Sequence, residues 1–165
     1  MQEDKIIILD TDFLSSFLKI GKLNLVKDFF NVEFLHIPVG VLREISATSL
    51  MNEFLEINYI KTVQVSQKHF GILKAEEFDR LGSGEKECMA LCKQYPNSLL
   101  FISDNKARKV AMKNGIVVLN ISGFLLACKK TMFLETNEIA TIMNDLKQKD
   151  YYEFSAVEKK ELLKS

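Results

Sequence analysis

Apolar residues occur along this chain in two rhythms. Ile6-Ile7-Ile8-Leu9 and Leu99-Leu100-Phe101-Ile102 are short unbroken aliphatic runs. A strand with one wet face alternates, so unbroken runs of this length read as strands buried on both faces. Elsewhere apolar residues recur at helical spacing. The pattern predicts a strand over 5–9, a helix over about 12–20 stopped by Gly21, and a short helix over 24–31. A strand over 33–37 follows, and Pro38 suits the first position of a helix running through Ile45. Residues 49–57 read as a helix, and 60–65 alternate like an edge strand. Helical character returns over 67–81, and Ser83 is placed to cap a helix over 84–94. Pro96-Asn97 breaks the chain before a buried strand over 98–102, a helix over 105–114 stopped by Gly115, and a strand over 116–119. Helices are expected over about 122–130, 137–149 and 156–164.

Strands that alternate with single or paired helices predict an α/β protein with a mostly parallel sheet and helices on both faces. The 165 residues are read as a single domain, with the helices of about 136–165 packing on the core or forming an interface. Composition is that of a soluble globular protein, 47% hydrophobic and 27% charged. With 22 basic and 22 acidic residues, nucleic-acid affinity would have to come from a local patch. Cys88, Cys92 and Cys128 form no CxxC pair and read as small core residues in a reducing compartment. The N-terminal segment has no signal-peptide pattern and no run has the length of a membrane span, so a cytoplasmic protein is expected.

Candidate chemistry sits at the strand ends. The first buried run leads into Asp10, and the Leu99–Ile102 run leads through Ser103 into Asp104. Carboxyl ends of parallel strands are where such sheets collect ligands. Either aspartate also suits the N-terminus of the helix that follows. At about 100° per residue, Glu85 falls on the helix face of Cys88, Met89 and Cys92, while Glu87 points the opposite way. Glu44 lies at the edge of the face made by Val41, Leu42 and Ile45, with Gly40 leaving space one turn earlier. Carboxylates at about 4 Å repel by roughly 4 kcal/mol per pair at an effective dielectric near 20. A cluster of them would protonate, splay, or take up a cation. Oxygen-only ligands select hard ions such as Mg²⁺ or Mn²⁺, and neither His36 nor His69 lies at ligand spacing with the acids. Such an ion suits phosphodiester hydrolysis.

The stretches IIILDTDFLSSFLKIGKLNLVKDFF, HIPVGVLREI, LGSGEKECMALCKQ and LLFISDNKARKVAMKNGIVVLNISGFLLACKK together resemble the PIN domain, a small metal-dependent ribonuclease fold. The GE-containing helix start and the run DNKARKVA are similar to a prokaryotic branch, many of whose relatives are toxins of type II toxin–antitoxin pairs. The resemblance implies a three-layer α/β/α fold that cuts RNA with Mg²⁺ or Mn²⁺ and leaves 5′-phosphate ends. It implies Asp10, Glu44, Glu85 and Asp104 as catalytic and metal-holding acids. It also implies RNA as substrate, with a small antitoxin protein and a homodimer as partners. The chain departs from the family pattern at Asp12, where Ser, Thr or Asn is usual. That carboxylate either joins the site or caps the following helix. Ser103 and Asn120 stand at supporting positions, where relatives carry a more acidic pair and Gly-Thr respectively.

Lys106, Lys109 and Lys113 share one helix face after Asp104, with Arg108 to the side. They are candidates for RNA-backbone contacts, as are Lys22, Arg43 and Lys86, against the plainer reading of a solvated face. Phe124, Leu125, Leu126 and Phe133 suit either the core or a partner surface. Two other readings stand beside the ribonuclease. One is a non-catalytic PIN-like module that binds RNA or protein. The other is an aspartyl-phosphate phosphatase of haloacid-dehalogenase type, with Asp10 as nucleophile and Asp12 as acid/base. The phosphatase reading leaves Glu44 and Glu85 without a task.

Overall fold

A computed structural model describes residues 4–70 and 78–164 of the chain. Its centre is a five-stranded sheet in which every neighbouring pair is parallel. The strands are β1 (Ile6–Leu9), β2 (Leu35–Pro38), β3 (Ile60–Val63), β4 (Ser98–Phe101) and β5 (Val118–Leu119), in the spatial order β3-β2-β1-β4-β5. The helices are α1 (Thr11–Ile20), α2 (Asn24–Phe30), α3 (Val39–Ser46), α4 (Met51–Leu55), α5 (Gln67–Phe70), α6 (Ser83–Gln94), α7 (Asn105–Lys113), α8 (Ile121–Lys130), α9 (Thr136–Asp150) and α10 (Ala156–Leu163). They flank the sheet in a three-layer α/β/α arrangement.

Burial explains the strand patterns. Ile7, Ile8 and Leu9 of β1 and all four residues of β4 are buried, so the central strands carry no polar alternation. β3, at the edge, alternates in part and leaves Lys61 and Thr62 in solvent. The chain builds β1, β2 and β3 outward on one side, then returns to place β4 and β5 on the other. The order therefore reverses between β1 and β4, which pair from Ile6 with Ser98 to Leu9 with Phe101. Loops leaving those two strands diverge at this point, and a crevice opens at their carboxyl ends.

Beneath the crevice lies an aromatic cluster. Phe13 stacks on Phe17 with ring centroids 4.6 Å apart and meets Phe101 at 4.5 Å. Phe124 packs edge-on against Phe101 at 5.5 Å. These fully buried rings tie α1, β4 and α8 together directly below the residues that follow β1. Phe124 and Leu125 thus belong to the core, while Phe133 remains partly exposed against Phe29. α9 buries Ile139, Ile142, Met143 and Leu146 and packs on α1. Ser16 Oγ donates to Asp150 at 2.6 Å and Lys19 pairs with the same carboxylate at 2.7 Å, fastening the end of α9 to α1. Cys88, Cys92 and Cys128 are free and buried. Among the described residues, no helix is long and apolar enough to cross a membrane.

Several boundaries differ from the sequence expectation. Pro38 completes β2, opposite Val63, and precedes the first turn of α3 instead of opening it. Gly82, and not Ser83, is the residue before the first turn of α6, because the Glu85 side chain turns back to accept from its N–H at 3.2 Å. The helix expected over 49–57 shortens to Met51–Leu55. Of the helical character expected over 67–81, residues 71–77 lie outside the described residues. Gly21 does end α1, in the left-handed conformation at φ 64°.

The shared aromatic cluster makes a prediction. Phe124→Ala should lower unfolding free energy by about 3–5 kcal/mol, read by urea denaturation at fixed pH. A loss below about 1 kcal/mol would show that the ring is not jointly held by α1, β4 and α8.

Candidate metal centre

Asp10 follows β1 directly, and its backbone N–H still bonds to Phe101 O at 2.9 Å. The sheet therefore fixes the residue before its side chain is considered. Its carboxylate caps α1 by accepting from Phe13 N–H at 2.8 Å, and its second oxygen accepts from Ser103 N–H at 3.3 Å. One carboxylate thus bridges the ends of β1 and β4. Asp10 is only 2% exposed. Cys88 packs behind it, donating its thiol to Leu9 O at 3.6 Å.

Because Asp10 caps α1, Asp12 does not. Asp12 instead lies exposed at the rim of a cleft of about 130 Å³ lined by Asp10, Thr11, Asp12, Glu44, Gly82 and Glu85. Glu44 reaches it from α3. Thr11 donates its hydroxyl to one Glu44 oxygen, and Gly84 N–H donates to the other at 3.1 Å. A β-carbon on Gly84 would stand 2.6 Å from that second oxygen, so a side chain there would push the Glu44 carboxylate from its seat. Asp104 is exposed at the neighbouring loop and caps α7 through Ala107 N–H at 2.8 Å. It does not line the cleft, yet its charge acts on both Asp12 and Glu85.

These placements produce a shared electrostatic signature. Burial pushes the Asp10 carboxyl up to about 8 against the two N–H donors, with the charges of Asp12 and Glu85 adding to the rise. Asp12 is raised by partial burial and then by Asp104, Glu44 and Asp150, with Lys19 opposing. Burial likewise raises Glu85, helped by Asp104, Asp12 and Glu44 and opposed by the Gly82 N–H. Burial and the neighbouring acids therefore favour the protonated Asp10 carboxyl, and a bound cation would favour the carboxylate.

The donors fit a hard divalent ion chemically: they are carboxylate oxygens, and neither histidine lines the cleft. Asp10, Glu44 and Glu85, with Asp12 at the rim and Asp104 on the neighbouring loop, are the residues that would hold one. Among the described residues, however, no three Asp, Glu, His or Cys side chains stand together as a formed ligand group. The hydrogen bonds explain this. Asp10, Glu44, Glu85 and Asp104 each turn at least one oxygen toward an N–H or hydroxyl of the fold.

The supporting positions behave differently. Ser103 meets Asp10 through its backbone N–H. Asn120 caps α8 by accepting from Gly123 N–H at 2.8 Å and does not line the cleft. Lys106, Lys109 and Lys113 are exposed on α7, as are Lys22 and Arg43 on their own segments. Arg108 is half-buried and its charge acts on the Tyr152 hydroxyl of the C-terminal segment. Lys86 lies over the Phe78 ring at 5.4 Å. Sequence reasoning did not single out Thr11 or Glu87. Thr11 was findable as the hydroxyl between two aspartates, facing the same end of the sheet as Glu44.

Comparison with known families matches residues 6–164 to a family model, DUF3368, described as a PIN domain. Among solved structures, the PIN domain endonuclease Utp24 is similar in fold, with a TM-score of 0.53 and 13% identity over 72% of this chain and 86% of that one. A comparison with curated proteins found no sequence match.

The raised carboxyls fix the sign of a pH effect. A group ionised in the unfolded chain above about pH 4 but protonated in the fold up to about pH 8 favours the fold at low pH. That contribution is lost as pH rises across this window. In chelator, the wild-type melting temperature should fall between about pH 5 and about pH 8, and Asp10→Asn should flatten most of the slope. An equal slope in the variant would mean that Asp10 is not the group responsible.

Proposed function

The chain belongs to the PIN-domain family, and from that premise we propose that it is a metal-dependent endoribonuclease hydrolysing RNA phosphodiester bonds. The observation that carries the proposal is the acidic cleft at the β1/β4 switch point. There Asp10, Asp12, Glu44 and Glu85 share one small opening at the carboxyl edge of the sheet.

Asp10, Glu44, Glu85 and Asp104 would hold Mg²⁺ or Mn²⁺. When bound, the ion supplies Lewis-acid activation of water and neutralisation of charge on the phosphoryl group. The chain's own residues do the rest. Asp10 gives up the proton that burial had kept on its carboxyl, and Phe13 and Ser103 N–H then steady the anion. Thr11 and Gly84 hold Glu44 at the cleft edge. Asp12 remains solvent-accessible at the rim, where it can take a proton from water entering the cleft. Lys106 and Lys109, exposed on the helix that begins at Asp104, suit phosphates of a flanking RNA strand. A toxin's role, with a small antitoxin as partner, belongs to the same proposal. Met132, almost fully exposed, and the partly exposed Phe133 between α8 and α9 are apolar residues available to a partner or second copy there.

The geometry also favours a second reading. Asp10, Glu44, Glu85 and Asp104 each accept from a donor of the fold, and no three acids are gathered into a ligand group among the described residues. A module that binds RNA without cutting it has that arrangement as its resting state.

Purified protein incubated with single-stranded RNA and Mn²⁺ separates the two. The ribonuclease reading predicts cleavage abolished by chelator and lowered by about 10²-fold or more in Asp10→Asn, with the variant still folded by circular dichroism. Wild-type protein that binds RNA and cuts none would establish the binding module. Cleavage by Asp10→Asn at the wild-type rate would overturn the site.

A further inference from the structure

The contact between α3 and α6 is reciprocal. Glu44 of α3 accepts from Gly84 N–H at the start of α6. Glu87 of α6 accepts from Gly40 N–H at the start of α3. Each helix thus sends a carboxylate to the positive end of the other. The two glycines make this possible. A β-carbon on Gly40 would collide with the Glu87 carboxylate and stand 3.3 Å from Gly84 Cα, and one on Gly84 would meet Glu44. Glu87 is half-buried and lies outside the acidic cleft, contrary to the outward direction expected from its own helix face.

We infer that Glu87 is a positioning residue that holds Glu44 in the cleft by clamping the first turn of α3 onto α6. Glu87 does not line the cleft, and its hydrogen bond goes to Gly40 N–H and not to Glu44. It acts through Gly40, one helical turn before Glu44, and through the close approach of the two helix starts. Releasing the Gly40 end lets α3 back away from α6. Glu44 then loses Gly84 N–H, although both partners of that bond are unmutated. The carbonyl oxygen of glutamine can accept the same Gly40 bond, so the role needs an acceptor and not a charge.

The inference extends the nuclease reading, but its primary test needs neither metal nor RNA. In chelator-treated full-length protein, hydrogen exchange and the NMR shift of the Gly84 amide report whether Glu44 is seated. Glu87→Ala and Gly40→Ala should each speed Gly84 exchange by about tenfold or more and move its amide resonance upfield, while Glu87→Gln keeps both near wild type. With Mn²⁺, the two alanine variants should bind the ion more weakly and lose kcat with KM for RNA unchanged, and Glu87→Gln should restore both. An unchanged Gly84 amide in Glu87→Ala and Gly40→Ala would overturn the inference, whether or not the wild type cleaves RNA. A Glu87→Gln variant as impaired as Glu87→Ala in Mn²⁺ affinity would also overturn it, because charge and not position would be what matters. Should Glu87→Ala fail to fold, Gly40→Ala and Glu87→Gln carry the same contrast. Absence of cleavage by the wild type, with the Gly84 response intact, would defeat the nuclease reading alone.

Discussion

Placing a carboxylate in a nearly water-free position, beside others of the same sign, is the constraint that the rest of this structure answers to. Asp10 is the extreme case. The sheet gives it no choice of location, since β1 hydrogen-bonds to β4 up to the residue itself. Two backbone N–H groups face its oxygens, yet burial and the neighbouring acids outweigh them. Asp10 carries the cost of a buried carboxyl while capping α1 and bridging the ends of β1 and β4. Burial favours a proton on this carboxyl, and in the proposed working state a cation takes that proton's place.

Support for the site extends outward in layers. The aromatic cluster of Phe13, Phe17, Phe101 and Phe124 makes a stiff floor, so the amide of Phe13 that caps onto Asp10 is held by packing as well as by the helix. The glycine-mediated approach of α3 to α6 sets the opposite wall. At the outer rim, Lys19 and Asp150 join α1 to the end of α9, and both bear on the charge of Asp12. The C-terminal helix pair thereby influences the cleft without lining it. The hydrogen bonds that these acids accept from the fold are also what a cation must compete with, which links stability to affinity.

Much of this was legible in the residues. Unbroken runs marked the central strands because burial on both faces removes polar alternation, and the partial alternation of 60–65 marked the sheet edge. Gly21 and Gly115, both at positive φ, marked helix ends. The stripe of Cys88, Met89 and Cys92 set the face of Glu85. What failed, failed for physical reasons. A helical wheel assumes one buried face, so it sent Glu87 outward, whereas α6 packs on both the sheet and α3. Paired glycines at 40 and 84 were the signal for that second contact. Asp12 was readable on paper as either a cap or a site group, and Asn120 as a supporting position. Only the fold reveals that Asp10 already caps α1 and that Asn120 is committed to α8. Ser83 lost its expected capping role because the Glu85 side chain satisfies the Gly82 N–H.

The central claim is that the buried carboxyl at the end of β1 exchanges its proton for a divalent cation. Calorimetric titration of metal-free protein with Mn²⁺ near neutral pH, in two buffers of different ionisation enthalpy, measures that exchange directly. The account predicts saturable binding with release of about one proton per chain, and loss of that release in Asp10→Asn. Saturable binding without proton release, or no binding at millimolar Mn²⁺, would contradict it.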